Sequence, residues 1–498
     1  MPETATKPRG AKTSALSCSQ LTVLAAFVIS RILYWHAGLR FDASPIDNYW
    51  QFIDPVLMKT RLFESLWYLH MQPPGFNLAI GLVVKLFPDS YTEVLTIVYL
   101  ILGVSITLSL LHLMKLLRVS GPLAVVLTIL FIANPGCVLY ENLAIYEYPI
   151  AFLLLIAAIA LFRLCQSPTV SRSLLFFGTL FALAMIRNIF HILFIVLIAI
   201  TLATLMPRAR RIIVVGALPM LVLILMVQTK NWILFHSFTT STWAGMNTGV
   251  VTTFQLTPDE AKTLIDRGVL SPIAAIPPFS GLGYYTPFIH VTPPTGIPVL
   301  DEADASTGHA NFNNPAYLQV HEMYFANART ILRHYPVAYL RSVAIAWFTY
   351  FLSTSDMHSF DAARPKLQPF DSIYREVVFG QFRQAADRKE LREIRASEGV
   401  WPLVPYTGTF AMIYLPLLVA WTLLQFLPGR RRHWTAQELT VLGLMIFTIL
   451  FSTAVSNFLS TFENNRYRFP LDGYYTAIAG TAVTSIVRRR NRSMPNAE

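Results

Sequence analysis

Long apolar runs constrain this chain more than any other feature of its sequence. Runs of about 18 residues or more recur between Leu21 and Val487, a length that lets an α-helix cross the roughly 30 Å hydrocarbon core of a bilayer. Only 13% of the 498 residues are charged, whereas a soluble domain carries about 25%. The sequence therefore excludes an ordinary soluble enzyme. It predicts an all-α, polytopic helical membrane protein with about ten crossings plus interfacial helices.

Ten strong spans are predicted, together with two weaker apolar segments. The strong spans are residues 21–38, 92–114, 122–139, 148–162, 173–186, 189–206, 212–234, 407–427, 439–460 and 470–486. The weaker segments are 74–87, which is short, and 338–352, which contains Arg341. Counting 74–87 as a crossing would put the basic residues near Arg208 outside, so both weak segments are assigned to the outer face as interfacial or re-entrant helices.

Basic residues set the expected orientation. The chain has 39 Lys and Arg against 28 Asp and Glu, a net charge of +11. With an inside N-terminus and an uncleaved first span, the basic clusters all fall on the cytoplasmic side, as the positive-inside rule requires. Membrane lipids are therefore the expected partners of these residues, and nucleic acid is not. The clusters are Lys115/Arg118, Arg163/Arg172, Arg208/Arg210/Arg211, Arg430/Arg431/Arg432 and Arg488/Arg489/Arg490/Arg492.

This topology divides the chain into five parts and places its polar residues on one face. The parts are a cytoplasmic N-terminus (1–20), an N-terminal membrane core (21–234) with a first outer loop at 39–91, an outer-face region (235–406), C-terminal spans (407–487) and a cytoplasmic tail (488–498).

The first outer loop carries two candidate catalytic carboxylates, Asp42 and Asp47. A carboxylate just beyond a span is well placed to act as general base on an incoming hydroxyl or amine, or to bind a divalent cation. Capping of an interfacial helix is the alternative, and for any one Asp taken alone it is the better explanation. Further along the loop, His70 and Gln72 precede a rigid Pro-Pro pair, and His70 is a candidate for contact with substrate.

Three arginines lie against the charge rule, at span ends on the outer side: Arg187, Arg466 and Arg468. A guanidinium held at a membrane face offers a planar fork of donors suited to phosphate. Snorkelling, or pairing with Glu463 or a lipid headgroup, is the alternative. Glu141 and Glu147, on a short outer turn, either join the first loop in one acidic cavity or are simply solvated.

Several motifs together resemble the GT-C superfamily of polytopic glycosyltransferases. The closest subgroup is that of bacterial enzymes akin to protein mannosyltransferases and aminoarabinose transferases. The resemblance rests on Asp47-Asn48-Tyr49, on His70-Met71-Gln72-Pro73-Pro74 before an apolar helix, on Asn134-Pro135 with Glu141, on Lys230-Asn231-Trp232, on Tyr335-Pro336 and on the run from Glu463 to Leu471. It covers most of the chain, and the last motif is its most specific part.

The resemblance implies a transferase in the bacterial inner membrane. It would move a sugar from a polyprenyl-phosphate carrier, at the outer face, to a lipid, glycan or protein acceptor. Asp47 would be catalytic, with Asp42 as its competitor, although the family's Asp-Glu pair is Asp47-Asn48 here. The other implied contacts are Arg466, Arg468 and Arg187 to the donor phosphate, and His70, Gln72, Glu141, Glu147 and Tyr467 to substrate.

A divalent cation, Mg²⁺ or Mn²⁺, is possible at Asp47 and Glu141, although no metal site is assigned from the sequence. Two other functions use the same charged residues. One is a transporter or flippase of lipid-linked saccharides, and the other is a polymerase or ligase of lipid-linked oligosaccharides. Transporters commonly contain paired half-repeats, whereas this chain concentrates its polar residues on one face, which favours an enzyme.

Overall fold

The computed structural model describes residues 16–290, 293–384, 404 and 406–493, with side chains to residue 488. Across these ranges the chain forms helices, and its only β-type pairings are the isolated bridges Asp42–Leu143 and Asp304–Ala310. The predicted all-α class is confirmed for this part of the chain. Most of the predicted N-terminal segment 1–20 and the end of the tail 488–498 lie outside the described residues.

Five helices are long and apolar enough to cross a membrane: Cys18–His36, Tyr91–Leu116, Glu147–Gln166, Pro207–Phe235 and Ala436–Leu459. A sixth span is possible if Gly121–Ala133 and Pro135–Glu141, which bend by 58° at Asn134, are taken as one. The bend has a local cause, because Asn134 caps the second helix by accepting a hydrogen bond from the Cys137 amide at 2.7 Å.

The other four predicted spans are helices that are shorter or less apolar than these. Three are apolar helices of 17, 14 and 16 residues, Val170–Ile186, Ile192–Leu205 and Thr409–Leu424. The last is Asp472–Ser493, whose basic C-terminal end lowers its mean hydropathy. The predicted multi-pass helical architecture is therefore supported, and length and composition alone identify five or six of the ten predicted crossings.

Two short helices, Pro428–Arg431 and Asn464–Arg468, lie near the C-terminal spans, and further helices belong to the two segments predicted on the outer face. In the first segment they are Pro45–Asn48, Pro55–Thr60, Leu62–Trp67 and Pro74–Leu86. In the second they are Ala244–Val251, Pro258–Asp266, Pro298–Asp301, Ala316–His334, Pro336–Tyr350 and Phe370–Ile373, followed by one π-helix, Tyr374–Phe379. Both weak apolar segments are thus helices, of 13 and 15 residues.

Helix ends that the charge distribution assigns to the same side contact one another. At the predicted cytoplasmic end, Arg118 pairs with Glu438 at 2.5 Å, and Arg488 donates to the Arg118 carbonyl at 3.0 Å. At the opposite end, the Asp42 amide donates to the Asn142 carbonyl at 2.8 Å. The bundle therefore has two chemically distinct ends, and the candidate site lies at the second.

Candidate functional site at the helix ends

A buried carboxylate joins two of the predicted arginines. Glu147 begins the Glu147–Gln166 helix and is fully buried. Its Oε1 atom contacts both Arg466 Nε and, at 3.2 Å, Arg187 Nη1. Arg187 and Arg466 are 7% and 5% exposed, so bulk water screens these charges poorly. We call Glu147, Arg187, Arg466, Tyr49 and Tyr146 the arginine cluster.

Two tyrosines complete the arginine cluster. Arg466 donates from Nη1 to the Tyr49 hydroxyl and from Nη2 to the Tyr146 hydroxyl, the latter at 2.9 Å. The Arg187 guanidinium carbon lies 4.8 Å from the ring centre of Tyr146 and 4.1 Å from that of Tyr467. Burial alone would lower the pKa of Arg466, but Glu147 and the tyrosines outweigh it and hold that pKa above its usual range. Both arginines therefore remain cations.

The peptide segment that carries Arg466 is fixed by buried amides. Asn465 donates to the carbonyls of Ser353 and Asp356, both at 2.8 Å, and Asn464 donates to Asn457 Oδ1 at 2.8 Å. Both asparagines are fully buried, so these bonds satisfy their side-chain amides and tie the segment to residues 353–356 and to the Ala436–Leu459 helix. The short helix Asn464–Arg468 is thereby held against the outer segment, and it positions the Arg466 side chain towards Glu147.

The arginine cluster retains unused binding capacity. Arg187 forms its ion pair with an oxygen that Arg466 also uses, and its guanidinium hydrogen-bonds to no other side chain in the part of the chain that the structure describes. The second carboxylate is that of Glu463, which lies 3.8 Å from Arg466 and whose side chain is 18% exposed. It therefore compensates the two arginine charges less closely than Glu147 does. A partly unpaired, planar donor group at a water-poor site is suited to an anion such as phosphate.

The two candidate catalytic aspartates differ in their surroundings. Asp42 Oδ1 accepts from the Ser44 amide at 2.8 Å, and the Asp42 backbone pairs with Asn142 and Ala144. Asp42 therefore stabilises the turn before the Pro45–Asn48 helix, but it does not cap that helix, whose N-cap residue is Ser44. The Asp47 carboxylate is half-buried and makes no hydrogen bond or ion pair with any described residue. Two residues further along the chain, Tyr49 contacts Arg466.

Glu141, predicted to contact substrate, does not join the arginine cluster and pairs with Arg31 instead. Its oxygens accept from Arg31 Nε at 2.8 Å, from Arg31 Nη2 at 2.6 Å and from the Tyr148 hydroxyl at 2.5 Å. A Cβ atom on Gly103 would overlap this carboxylate, so that glycine is required for the close approach. Glu141 is therefore the partner of a cation in the first span.

Arg468 also differs from its prediction as a phosphate contact. The side chain is fully buried, and it donates to the carbonyls of Tyr350 and, at 2.7 Å, Leu352. Its Nε lies 3.3 Å from Asp472 Oδ1. These contacts join the end of the Pro336–Tyr350 helix and the residues after it to the last helix. The Nη donors of Arg468 are thereby occupied by backbone carbonyls.

His70 is a structural residue and not a surface for substrate. It is fully buried, with Nδ1 2.9 Å from Thr242 Oγ1 and Nε2 2.9 Å from the Asn313 carbonyl. Burial lowers the pKa of His70 to about 3, so the ring is neutral. Since a carbonyl can only accept, Nε2 carries the proton. Gln72 is half-buried, and neither residue belongs to the arginine cluster.

The predicted metal pairing does not fit this geometry. Both Glu141 oxygens are engaged by Arg31 and Tyr148, so they are not available beside Asp47. Among the described residues, no group of three or more His, Cys, Asp or Glu side chains is arranged to hold a metal ion. No chemical step is therefore assigned to Mg²⁺ or Mn²⁺.

Sequence reasoning did not find Arg31, Tyr49 or Tyr146. Arg31 had a usable signal, because it is a charged side chain in the middle of the first apolar run, where an unpaired charge is costly. The sequence carries no signal for the two tyrosines, because their role depends on which segments meet in three dimensions. Searches against protein-family models, curated proteins and solved structures find no match to this chain.

Proposed function

We propose that this protein is an integral-membrane glycosyltransferase that moves a sugar from a polyprenyl-phosphate carrier to an acceptor at the outer face. The observation that carries the proposal is the arginine cluster, in which two buried cations share one carboxylate oxygen. A phosphate is an anion with several acceptor oxygens, and it would satisfy the donors that Arg187 leaves unused.

The location of the arginine cluster supports a lipid-linked donor. Its members lie at the ends of helices. Arg187 directly follows the Val170–Ile186 helix, and Glu147 is the first residue of the Glu147–Gln166 helix. A polyprenyl chain is apolar and stays in the bilayer, so its phosphate lies at the depth of such helix ends. We propose ten crossings with the arginine cluster outside, because this arrangement places the basic loops inside.

In the proposed reaction, the bond between the sugar carbon and the carrier phosphate oxygen breaks while the acceptor oxygen or nitrogen bonds to that carbon. The electron pair of the broken bond stays with the phosphate, whose negative charge rises. Arg187 and Arg466 stabilise this charge in a water-poor site, where fixed donors are most effective. Asp47 accepts the proton that leaves the acceptor nucleophile.

A transporter or flippase of lipid-linked saccharides would use the same arginines to hold the phosphate. We favour an enzyme because Asp47, whose carboxylate has no hydrogen bond or ion pair among the described residues, lies two residues before Tyr49 of the arginine cluster. A polymerase or ligase of lipid-linked oligosaccharides shares the phosphate contact and differs in the size of its substrate. Bacterial inner-membrane localisation is part of the same proposal.

Native mass spectrometry of the gently purified chain tests the donor class. A co-purified polyprenyl phosphate, with or without one sugar, is the expected result. Only bulk phospholipid, even after polyprenyl phosphate is added, would contradict the proposal. Conversion of the bound sugar adduct to bare carrier on addition of an acceptor extract separates the transferase from a transporter.

Substitution of the arginines tests the phosphate contact. Arg187→Gln should weaken binding of undecaprenyl phosphate by about tenfold, because a hydrogen bond to a charged group contributes about 1.5–3 kcal/mol. Arg208→Gln, which changes an exposed arginine of a predicted cytoplasmic loop, is the matched control. Equal carrier titrations for wild type and Arg187→Gln would refute the assignment.

A further inference from the structure

Four aromatic rings form a compact group next to the arginine cluster. Every pair among Trp50, Trp243, Phe279 and Phe312 is in contact, with ring centroids separated by 4.9 to 6.5 Å. We call these four residues the aromatic group. Trp50 comes from the first outer segment, and the other three come from the second.

Packing alone does not account for the arrangement. Trp243 and Phe312 are 5% and 1% exposed, as expected of rings that join two segments, but Trp50 leaves 38% of its surface uncovered. The aromatic group therefore presents one large ring to the outside while the rings beneath it hold that ring in place. A tryptophan face is apolar and flat, and it carries the negative part of an aromatic quadrupole.

Two further features point to a ligand at this surface. The Trp243 indole N–H is buried and donates to no atom of the described chain, although buried donors are nearly always paired. Phe279 has a φ of +65°, a left-handed conformation that is strained for a bulky residue and that tends to occur at ligand sites. Both side chains contact Trp50.

The chain that follows the aromatic group lines a cavity. Two residues after Phe279, residues 281–284 form with Ala303 and Asp304 a mostly apolar cavity of about 270 Å³. Two residues before Trp50, Asn48 Oδ1 lies 3.2 Å from His309 Nε2. Asp304 and this pair are the polar side chains that the two segments bring to this part of the structure.

Trp50 directly follows Tyr49, which contacts Arg466. Consecutive Cα atoms lie about 3.8 Å apart, and extended backbone at Tyr49 (φ −102°, ψ 114°) sends the two side chains to opposite sides. The chain thus places the arginine cluster and the exposed aromatic face on the two sides of one short backbone segment. A ligand that spans both has an anionic part and a ring with apolar C–H faces and hydroxyl edges.

We propose that the aromatic group binds the sugar ring of the lipid-linked donor, with Trp50 stacking on its C–H face, while the arginine cluster holds the phosphate. This inference rests on the proposed function and adds the residues that recognise the sugar. It assigns the two parts of one donor to two neighbouring sites, which can be measured separately.

The test compares binding of two probes to the full chain in nanodiscs. The probes are undecaprenyl phosphate and a panel of undecaprenyl phosphates that each carry one hexose or pentose. Wild type should bind at least one sugar-bearing probe more tightly than the bare carrier. Trp50→Leu keeps an apolar side chain but loses the flat ring. It should reduce the ratio of the two affinities, sugar-bearing probe to bare carrier, by about three- to tenfold. Its affinity for bare undecaprenyl phosphate should not change.

Matched variants separate the possible outcomes. Trp50→Phe retains a ring and should keep most of the preference. Trp67→Ala removes a tryptophan that is 59% exposed in the same outer segment, and it should change neither affinity. A wild type that binds all probes equally, or a Trp50→Leu variant that keeps the full preference, would overturn the sugar site. Failure of wild type to bind the bare carrier would instead refute the proposed function.

Discussion

The shared carboxylate of the arginine cluster offers a sharp test of phosphate binding. We consider Glu147→Gln, which removes one negative charge and keeps an oxygen that accepts from Arg466 and Arg187. At an effective dielectric constant of about 20, two unit charges about 4 Å apart interact by about 4 kcal/mol. Glu147 makes two such contacts, and its partners are 7% and 5% exposed.

In the Glu147→Gln variant, hydration and Glu463 compensate for part of the lost charge interaction, because Glu463 stays 3.8 Å from Arg466. Removal of one partner from a buried pair typically costs about 3–5 kcal/mol. We therefore expect Glu147→Gln to lower the free energy of unfolding by about 3–5 kcal/mol. The same uncompensated cations should bind an anion more tightly, by about tenfold for undecaprenyl phosphate.

The measurement is unfolding in detergent, followed by thiol labelling of Cys137, which is fully buried in the folded chain. Undecaprenyl phosphate at 100 times its dissociation constant should add about 2.7 kcal/mol to wild-type stability. At that same concentration, the variant should gain more than wild type, because its affinity is higher. Exposed Cys18 labels at once and gives a constant background.

Glu438→Gln is the matched control. Glu438 is also buried and paired with an arginine, but it lies at the opposite end of the bundle, and Arg118 is 49% exposed. Gln still completes the capping box with Thr435, so the loss should be about 1 kcal/mol or less. A carrier that stabilises both variants equally, or that stabilises Glu147→Gln less than wild type, would refute the phosphate assignment.

Three further predictions follow from individual side chains. Asp47→Asn should abolish sugar transfer without changing thermal stability, whereas Asp42→Asn should leave transfer measurable; activity in the first variant would remove Asp47 from catalysis. Burial lowers the pKa of His70 from 6.5 to about 3, so only the unfolded chain binds this proton between those pH values, and stability falls as the pH drops through that window. His70→Gln should flatten that part of a pH–stability curve, and an unchanged slope would contradict the buried neutral ring. Gly103→Ala should destabilise by about 1–3 kcal/mol through overlap with a buried carboxylate. Gly178→Ala, where the added methyl group meets only ordinary contacts, should be neutral or slightly stabilising in the same unfolding assay.

The sequence by itself determined the class of fold and the grouping of charge. Apolar runs must be helical in a bilayer, because a helix satisfies its own backbone groups. The described part of the chain is accordingly helical, with five or six helices suited to crossing. Charge patterning also singled out Arg187 and Arg466, since a cation at an outer helix end violates a rule with a physical cause.

Only the tertiary structure decided which charges meet. Glu141 and Glu147 are six residues apart and looked equivalent in sequence, yet one faces Arg31 in the first span and the other faces Arg187 and Arg466. Arg466 and Arg468 are two residues apart, and the second is directed to backbone carbonyls. Spacing along a chain fixes the face of a helix, but the partner on that face comes from another helix, and local pattern carries no information about it.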